Sequence, residues 1–386
     1  MRWSASSSVM RNMKLLVDPE IFFYGRCGMV RYYSRLVDDL RGRGLLVDVP
    51  LVVSNSDFIR GRYQPLERLG TLPMGQFLRN KLDSASKRWY WHRVAQGDYD
   101  VLFITSPIFE DRFLERLPPG KPFLMVVHDT MRCVLGPDGL FDPAGRNADR
   151  LAYLARRAAT VACISQTTQT DLIRLSRVGP ERTAVIHTGN LLDARAEQAP
   201  AVALPDRYVL FVGDRTGRKN FRFFCQSVAS LLRARPDVHI VCTGTSNLWE
   251  DDMLRSLGIR EQVRFVEAPD AVLTYLYRRA AGLIYPSLYE GYGLPVLEAM
   301  SLGCPVLTAD LGAIREVGGD AVLYADAHDE ASMRTGLLTL LDDRARVAAL
   351  RQAGLERARL FTPERMVDAF ERALRALSSQ PFSATS

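Results

Sequence analysis

The sequence predicts an α/β protein with two doubly wound, Rossmann-like domains. The chain has 386 residues, of which 47% are hydrophobic and 24% are charged, and this length suits two domains of about 150–200 residues each. Short apolar runs alternate with amphipathic stretches in both halves of the chain. Such alternation is typical of parallel strands joined by right-handed helical crossovers.

The apolar runs have the composition of buried parallel strands. Most are short, rich in Val, Ile and Leu, and lack regular alternation with polar residues, as expected for strands that are buried on both faces of a sheet. Helical patterns between them include Arg31–Arg41, Asn220–Arg235 and Pro269–Ala280. The predicted strands are Lys14–Val17, Leu45–Val53, Val101–Thr105, Phe123–His128, Thr160–Ile164, Thr183–His187, Tyr208–Val212, Val238–Thr243, Val263–Val266, Gly282–Tyr285, Pro305–Thr308 and Ala321–Tyr324.

The break between the two domains is predicted within residues 190–206, which contain Ala and Pro and lack a sustained apolar period. We therefore expect an N-terminal domain over residues 1–195 and a C-terminal domain over residues 205–362. Residues 363–378 predict a final amphipathic helix. The carboxyl ends of both sets of strands are expected to face each other across a cleft, because open α/β sheets bind ligands at that edge.

Charge, cysteine content and hydropathy limit the partners and the compartment. The net charge of +6 is concentrated in the first half of the chain, which favours an anionic partner such as a membrane surface, a lipid phosphate or a nucleic acid; a solvated Arg-rich surface is the alternative. The six cysteines form no CxxC pair, so we expect buried, reduced thiols. Without a signal-peptide pattern or an apolar run of about 18 residues, a cytoplasmic protein is expected.

Residues 53–95 are less regular and combine cations with aromatic side chains. We interpret them as a candidate segment that faces the acceptor or a membrane. A basic amphipathic helix that serves only solubility is the alternative interpretation. The residues concerned are Arg60, Arg62, Arg68, Arg79, Lys81, Lys87, Arg88, Trp89, Tyr90 and Trp91.

The most informative motif is YEGYGLPVLEAM, which directly follows a predicted strand and a Pro-Ser turn. Pro295 suits the first turn of a helix, and Gly291 and Gly293 let the backbone approach a ligand closely. A helix that begins here directs free N–H groups at a phosphate. Glu290 and Glu298 would repel a phosphate, so their natural role is to accept hydrogen bonds from sugar and ribose hydroxyls.

A second motif, GDRTGRKN, also combines a strand, a glycine turn and a helix start. It places Arg215, Arg218 and Lys219 close together. Fixed cations stabilise the negative charge that a leaving nucleoside diphosphate gains while its bond to the sugar breaks. Taken alone, the motif is also compatible with an ordinary basic turn.

Residues 208–361 resemble the family 4 glycosyltransferases of the GT-B fold, which consists of two Rossmann-like domains. The signature of this family is two glutamates separated by seven residues, and Glu290 and Glu298 match it. The resemblance implies that Glu290 holds hydroxyls of the donor sugar and that Glu298 holds the ribose. Backbone groups of residues 291–295 are expected to line the phosphates.

The cations of the second motif resemble the Arg and Lys with which this family binds phosphate. Arg215 and Lys219 are the expected counterparts, after Gly213. Many members have an Arg directly after the glycine, where this chain has Asp214. Arg218 is therefore an alternative phosphate ligand, and the choice between it and Arg215 stays open.

The first half resembles the same family in fewer positions. Gly28 lies in a segment similar to the glycine-paired loop that covers the donor phosphates, and Cys27 occupies the position of the first glycine. His128 ends a predicted strand and resembles the family's histidine near the reacting sugar. In this fold the last helix, residues 363–378 here, crosses back to the N-terminal domain.

The resemblance implies a retaining glycosyltransferase that uses a nucleoside diphosphate sugar and needs no bound metal or other cofactor. The acceptor hydroxyl would attack from the side on which the diphosphate leaves, and the phosphate would help to remove its proton. Residues 98–100 match the DxD pattern of metal-dependent glycosyltransferases, but they directly precede a strand and predict a turn. The expected catalytic residues are His128, Glu290, Lys219 and Arg215, and the expected donor-binding residues are Gly28, Gly213, Arg218, Gly291, Tyr292, Gly293, Leu294, Pro295 and Glu298.

The pattern around Arg31 and His128 resembles bacterial mannosyltransferases, so GDP-mannose is the expected donor. A lipid-linked glycan or a polysaccharide at the inner face of the plasma membrane is the expected acceptor, and no nucleic-acid partner is expected. UDP-sugars and a sugar-nucleotide epimerase of the same fold are alternatives. A dehydrogenase is disfavoured because no GxGxxG follows the first strand, whereas Asp214 and Cys27 leave a non-catalytic nucleotide binder open.

Overall fold

The computed structural model describes residues 12–25, 28–54, 56, 58–59, 63, 65, 75–105, 111–134, 146–215 and 217–378. These residues form two compact units, which are divided between Thr188 and Gly189 and again between Thr362 and Pro363. Each unit contains a parallel sheet of six strands with helices between them. None of the helices in the described part of the chain combines the length and apolar character needed to cross a bilayer.

The sheet of the first unit has the strand order β2-β1-β3-β4-β5-β6, and all of its strand pairs are parallel. Its strands are β1 (Lys14–Val17), β2 (Leu46–Asp48), β3 (Val101–Ile104), β4 (Phe123–Val127), β5 (Thr160–Cys163) and β6 (Thr183–Val185). Its helices are α1 (Gly28–Gly42), α2 (Gln76–Gln96), α3 (Met131–Val134), α4 (Arg146–Arg157), α5 (Gln166–Ser176) and the C-terminal α13 (Pro363–Ser378), with 3₁₀ turns at Glu20–Phe23, Arg112–Glu115 and Pro180–Arg182.

The C-terminal helix α13 packs within the first unit. Phe370 is fully buried, with its ring centroid 5.9 Å from that of Phe103 on β3 and 6.5 Å from that of Tyr32 on α1. Arg43 donates to Asp368 of α13 at 2.5 Å. Edge-to-face aromatic contacts of this kind add to the stability that the burial of apolar surface provides. The helix therefore forms part of the core of the first unit.

The sheet of the second unit has the strand order β12-β11-β10-β7-β8-β9 and is also parallel throughout. Its strands are β7 (Tyr208–Phe211), β8 (His239–Thr243), β9 (Val263–Val266), β10 (Gly282–Tyr285), β11 (Val306–Ala309) and β12 (Leu323–Ala325). Its helices are α6 (Phe221–Ala234), α7 (Leu248–Ser256), α8 (Asp270–Arg279), α9 (Leu294–Ser301), α10 (Gly312–Gly318), α11 (Glu330–Asp342) and α12 (Arg344–Ala358), with 3₁₀ turns at Gly217–Lys219 and Arg260–Gln262.

This order contains a topological switch point. The chain moves outward from β7 to β8 and β9 on one side, then returns to place β10 on the other side of β7. The crossovers on the two sides therefore leave the sheet on opposite faces. A crevice opens at the carboxyl ends of β7 and β10, which is where doubly wound sheets bind ligands.

The predicted strands are confirmed, because each apolar run overlaps an observed strand. The largest difference is β2, which has only three residues, whereas the prediction extended to Val53. Residues 190–206 contain no helix or strand, and the division at Thr188 precedes the predicted end of the first domain at residue 195. Arg60, Arg62, Arg68 and Cys27 lie outside the described residues.

The segment predicted to be less regular contains a long helix. α2 runs for 21 residues and ends at Gly97, which has a positive φ of 68°. Lys, Arg, Ser and aromatic residues alternate along Gln76–Gln96 without forming a continuous apolar stripe. The sequence pattern therefore does not predict this helix. The acidic pair that follows makes structural contacts: Asp98 accepts from Lys14 Nζ at 2.5 Å, and Asp100 accepts from the backbone N–H of Lys14 at 2.8 Å.

The described cysteines are free thiols. Cys163, Cys225, Cys242 and Cys304 are buried, and Cys133 is partly buried. Burial raises the pKa of the Cys163 thiol to about 12, so it stays protonated and unreactive at neutral pH.

Candidate active site

Two loops meet at the switch point of the second unit. The first leads from β7 through a short 3₁₀ turn into α6, and the second leads from β10 into α9. A backbone hydrogen bond joins them, from the N–H of Leu288 to the carbonyl of Arg218 at 2.8 Å. The two motifs singled out in the sequence are therefore neighbours, although about 70 residues separate them in the chain.

Lys219 is the most buried cation of this crevice. It is only 7% exposed, and its Nζ atom donates to Glu290 Oε1 at 2.6 Å and to the Tyr285 hydroxyl at 2.7 Å. Burial lowers the pKa of the Lys219 ammonium, and the Glu290 carboxylate opposes this effect. Burial also raises the pKa of Tyr285 well above its usual value, so this phenol stays neutral and keeps its proton.

Arg218 adds a second and more accessible cation. Its guanidinium lies 3.2 Å from Glu290 Oε1 and 3.4 Å from Asp214 Oδ2. About a quarter of the Arg218 side chain is exposed, whereas the Glu290 side chain is largely buried. Glu290 thus accepts from two cations at once, and Arg218 presents part of its charge to solvent.

The backbone of the first loop is shaped by two residues with positive φ. Gly213 has a φ of 109°, and its N–H donates to Thr243 Oγ1 at 3.0 Å. Asn220 has a φ of 59° and begins α6, and its side-chain amide donates to the carbonyl of Ala327 at 2.8 Å. Asn tolerates this left-handed conformation better than most residues. The turn between them points Lys219 into the crevice.

Gly293 sets the start of α9 in the second loop. Its φ is 109°, and a Cβ at this position would lie 2.5 Å from Ile314 Cδ1. The positive φ favours glycine, and a Cβ would also displace the end of the Ile314 side chain. Pro295 follows in the first turn of α9, where a missing N–H is harmless, while Tyr292 is buried with its ring 6.3 Å from that of Phe361. In this turn the N–H groups of Val296 and Leu297 donate to the carbonyl of Gly293 at 3.0 and 3.2 Å.

Glu298 is placed on the buried side of α9. It is 2% exposed, and its Oε2 accepts a hydrogen bond from the Tyr277 hydroxyl at 3.0 Å. It therefore does not join the cluster of Arg218, Lys219 and Glu290. Tyr277 lies on α8, so the bond also fixes the distance between two neighbouring helices.

The structure places Arg215 away from that cluster. Its guanidinium donates to Glu250 Oε1 at 2.7 Å and to the carbonyls of Thr243 at 2.7 Å and Thr245 at 2.5 Å. The side chains of Arg215 and Glu250 are only 8% and 4% exposed. Glu250 is itself held in a capping box with Asn247 at the start of α7. Arg215 thus ties the end of β8 to α7, and the geometry favours Arg218 and Lys219 as the phosphate ligands.

The first unit carries a second polar group at its own switch point, between β1 and β3. His128 follows β4, and its Nε2 lies 2.9 Å from the Tyr33 hydroxyl. That hydroxyl donates to the carbonyl of Thr105, at the end of β3, at 2.9 Å. Burial lowers the pKa of His128 to about 4, so its imidazole is neutral at pH 7. Gly28 begins α1 and is exposed.

Asp18 extends this group. It follows β1 and is 4% exposed, and its carboxylate accepts from Thr105 Oγ1 at 3.2 Å and from the N–H of Glu20 at 3.0 Å. Burial raises the pKa of Asp18 to about 7, although the two hydrogen bonds oppose the rise. A carboxyl with such a pKa at a strand end is a recognised feature of functional sites.

Sequence patterns missed several partners of the predicted residues. Tyr285, Tyr33 and Tyr277 supply hydroxyls to Lys219, His128 and Glu298, but each occupies an apolar stretch in which a tyrosine is expected to be core. For Tyr285 one signal was available, since it is the last residue of β10 and its hydroxyl could reach the ligand edge. Within the described residues, no group of His, Cys, Asp and Glu has the arrangement of a metal site.

Comparisons with known proteins agree with this architecture. Residues 206–343 match the model of the glycosyl transferases group 1 family, and residues 27–190 match that of Glycosyltransferase Family 4. The O-antigen chain mannosyltransferase B of Escherichia coli is 32% identical over 56% of this chain and 62% of its own length. D-inositol 3-phosphate glycosyltransferase 1 of Catenulispora acidiphila is 30% identical over 71% of both chains.

Among solved structures, HepE of Anabaena in complex with UDP and glucose has a TM-score of 0.67 and 20% identity, over 95% of this chain and 99% of HepE. The two parallel sheets and the crevice at the second switch point define a protein of the GT-B fold. The chain belongs to glycosyltransferase family 4. It spans about three fifths of the length of the Escherichia coli relative.

Proposed function

We propose that this chain is a retaining glycosyltransferase that moves mannose from GDP-mannose to a lipid-linked glycan or a polysaccharide. The observation that carries the proposal is the cluster of Arg218, Lys219 and Glu290 at the switch point beside the start of α9. Two cations beside the positive end of a helix dipole attract a diphosphate. A carboxylate bound to those cations recognises the hydroxyls of the attached sugar.

In this proposal the chemistry is the one that the family resemblance implies. The bond between the anomeric carbon and the diphosphate oxygen breaks, and the acceptor hydroxyl forms its bond on the same face. The acceptor proton passes to an oxygen of the leaving phosphate. Lys219 and Arg218 stabilise the charge that develops on the diphosphate. Glu290 orients the sugar, which lowers the entropic part of the barrier.

The Glu290 carboxylate and a bound diphosphate would interact with the same two cations, Lys219 and Arg218. Glu290 accepts from Nζ of Lys219 and from the guanidinium of Arg218. A bound diphosphate competes for these donors, because it brings two or more negative charges to the same place. In this proposal Glu290 then turns part of its hydrogen-bonding capacity toward the sugar, and sugar binding is coupled to phosphate binding.

Similarity to the Escherichia coli O-antigen chain mannosyltransferase B supports mannose as the sugar and a surface glycan as the acceptor. A UDP-sugar is the second candidate donor, since the HepE structure of the same fold contains UDP and glucose. Calorimetric titration with GDP and with UDP distinguishes them. Binding of GDP with at least tenfold preference supports the proposal, and preference for UDP replaces GDP-mannose by a UDP-sugar.

Turnover is tested with GDP-mannose and a membrane lipid extract. Transfer of labelled mannose to the lipid phase supports the proposal. Conversion of GDP-mannose to another nucleotide sugar without an acceptor would instead indicate an epimerase, and GDP binding without any turnover would indicate a non-catalytic nucleotide binder.

The surface of α2 supports an acceptor at a membrane. Phe77 is 74% exposed, and Leu78 beside it is also exposed. Lys81 lies one turn further along the helix with its Nζ 4.5 Å from the Phe77 ring, and Arg88 is exposed two turns beyond. Lys87, in contrast, is engaged by Glu20 at 2.8 Å. Exposed apolar side chains beside cations suit an anionic lipid surface.

Co-sedimentation with phosphatidylglycerol vesicles tests this surface. Charge reversal at Lys81 and Arg88 is expected to reduce the bound fraction several-fold, because each cation near an anionic surface contributes about 1 kcal/mol. The matched control reverses Arg344 and Arg346, which are exposed on α12. Equal loss in both variants, or binding unaffected by reversal at Lys81 and Arg88, would contradict a membrane role of α2.

A further inference from the structure

The first unit contains a hydrogen-bonded chain that determines which nitrogen of His128 carries the proton. The Tyr33 hydroxyl lies between the carbonyl of Thr105 and Nε2 of His128, at 2.9 Å from each. A carbonyl oxygen only accepts, so the single proton of the tyrosine is given to Thr105. The Tyr33 oxygen can then only accept a hydrogen bond from His128, so Nε2 of His128 must carry the proton.

Packing holds the ring in this orientation. The imidazole meets the Tyr32 ring edge-to-face at a centroid distance of 4.9 Å and the Tyr33 ring at 5.3 Å. Both tyrosines are buried in the core of the first unit, whereas His128 keeps partial exposure. A 180° flip of the ring in its own plane would place Cε1 where Nε2 now lies and would lose the hydrogen bond to Tyr33.

We infer that Tyr33 is a positioning residue that keeps the proton of His128 on Nε2, so that Nδ1 is the nitrogen that acts on a ligand, as a hydrogen-bond acceptor. A neutral imidazole has one donor and one acceptor nitrogen, and the partner of one nitrogen fixes the role of the other. Among the described residues, Nε2 is the ring nitrogen that has a hydrogen-bond partner. This inference rests on the proposed function and on the family resemblance, which implies that His128 lies near the reacting sugar.

The role assigned to Nδ1 limits what His128 can do. It accepts a hydrogen bond from a hydroxyl of the ligand, and it neither donates to a ligand carboxylate nor supplies a positive charge at neutral pH. Specificity for a hydroxyl-bearing sugar follows, because a site built to pair with a hydroxyl rejects an analogue that lacks it.

Tyr32 offers a matched control for Tyr33. The two tyrosines are adjacent on α1, both are buried, and both contact the His128 ring. The Tyr32 hydroxyl, however, has no hydrogen-bond partner in the described part of the chain. Tyr32→Phe and Tyr33→Phe therefore remove the same atom from similar surroundings, and only the second change removes the partner of Nε2.

The experiment is ¹⁵N NMR of histidine-labelled protein at pH 7, with the signals of His128 assigned from the spectrum of His128→Gln. We expect a protonated Nε2 whose proton exchanges slowly, beside an unprotonated Nδ1. Tyr33→Phe is expected to make that proton exchange rapidly, and Tyr32→Phe is expected to leave the spectrum of His128 unchanged. A protonated Nδ1 in the wild type, or equal spectra for Tyr33→Phe and the wild type, would overturn the inference.

GDP-mannose turnover provides a second readout. Asn places its amide oxygen near the position of Nδ1, whereas Gln reaches toward Nε2. We expect His128→Asn to keep at least fivefold more activity than His128→Gln, and Tyr33→Phe to lower kcat more than Tyr32→Phe. The reverse order of the His128 variants would overturn the role of Nδ1. Absence of turnover in the wild type would instead remove the proposed function, and the NMR result would still decide the tautomer.

Discussion

Lys219 Nζ and Glu290 Oε1 lie 2.6 Å apart, although the two residues follow different strands of the second sheet. The strands are β7 and β10, which are direct neighbours in the sheet because the chain reverses its order there. The switch point thus converts two distant motifs into one charged cluster. Arg218 joins the same carboxylate oxygen, and this shared oxygen is the basis of the first prediction.

Removal of either member of the pair should impair turnover. We expect Lys219→Ala and Glu290→Gln each to lower kcat at least about tenfold, which corresponds to about 1.4 kcal/mol of lost transition-state stabilisation. Initial rates of mannose transfer from GDP-mannose measure this. Arg222→Ala, an exposed cation at the start of α6, serves as the control and should keep its rate within about twofold. Wild-type rates in both site variants would remove the cluster from catalysis.

Arg215 and Arg218 should have separable effects. Arg215→Met leaves Glu250 buried without its partner, and we expect a loss of about 3 kcal/mol in the free energy of unfolding. Arg218→Met should leave stability nearly unchanged, since partly exposed ion pairs contribute about 1 kcal/mol or less, and should weaken GDP binding. Urea unfolding and calorimetry measure the two effects.

A double variant separates lost charge pairing from lost packing at this position. Glu250→Gln keeps the side chain that caps α7 and removes its charge, so its combination with Arg215→Met should recover part of the stability. A stable Arg215→Met protein that no longer binds GDP would show that Arg215, and not Arg218, holds the phosphate.

Gly293→Ala should distort the start of α9. The added Cβ would meet Ile314 Cδ1 at 2.5 Å, and alanine disfavours the positive φ of 109°. We expect weaker GDP binding and a lower midpoint of thermal unfolding. Gly293→Ala with Ile314→Ala should remain impaired, because it relieves the clash but not the backbone strain. Gly42→Ala, where a Cβ meets nothing within 4 Å, should behave as the wild type.

Asp18 should make the stability of the first unit depend on pH. Its pKa is raised to about 7 in the folded state from 3.8, so the folded state favours the protonated carboxyl. The stability from this group is complete below pH 3.8 and is lost as the pH rises to about 7. Asp18→Asn mimics the protonated form, so its unfolding midpoint relative to wild type should rise between pH 5 and pH 8. A constant difference across this interval would contradict the buried carboxyl.

The strands and the two loops that follow β7 and β10 could be predicted from the sequence because they depend on local patterns. Apolar runs of four or five residues mark the strands, and the glycines and Pro295 mark the turn into α9. The helix Gln76–Gln96 could not, since its apolar residues do not follow one stripe. Its stability depends on contacts with residues far away in the chain.

The choice between neighbouring cations also depends on tertiary structure. Arg215 and Arg218 are three residues apart in the same loop, and their sequence context does not distinguish them. What distinguishes them is the ion pair of Arg215 with Glu250, which is held at the start of α7 by the capping box with Asn247. The tyrosines that pair with Lys219 and His128 could not be predicted for the same reason, since their hydroxyls act across strands.

A diphosphate site at Lys219 and Glu290 is tested most directly by thermal unfolding of the wild type and of Lys219→Ala in the presence of GDP. At about 100 times its dissociation constant, a ligand of the folded state adds about 2.7 kcal/mol, which should raise the unfolding midpoint of the wild type by several degrees. We expect this rise for the wild type and little or none for Lys219→Ala. Equal rises in both proteins, or no rise with any nucleoside diphosphate, would contradict a diphosphate site at Lys219 and Glu290.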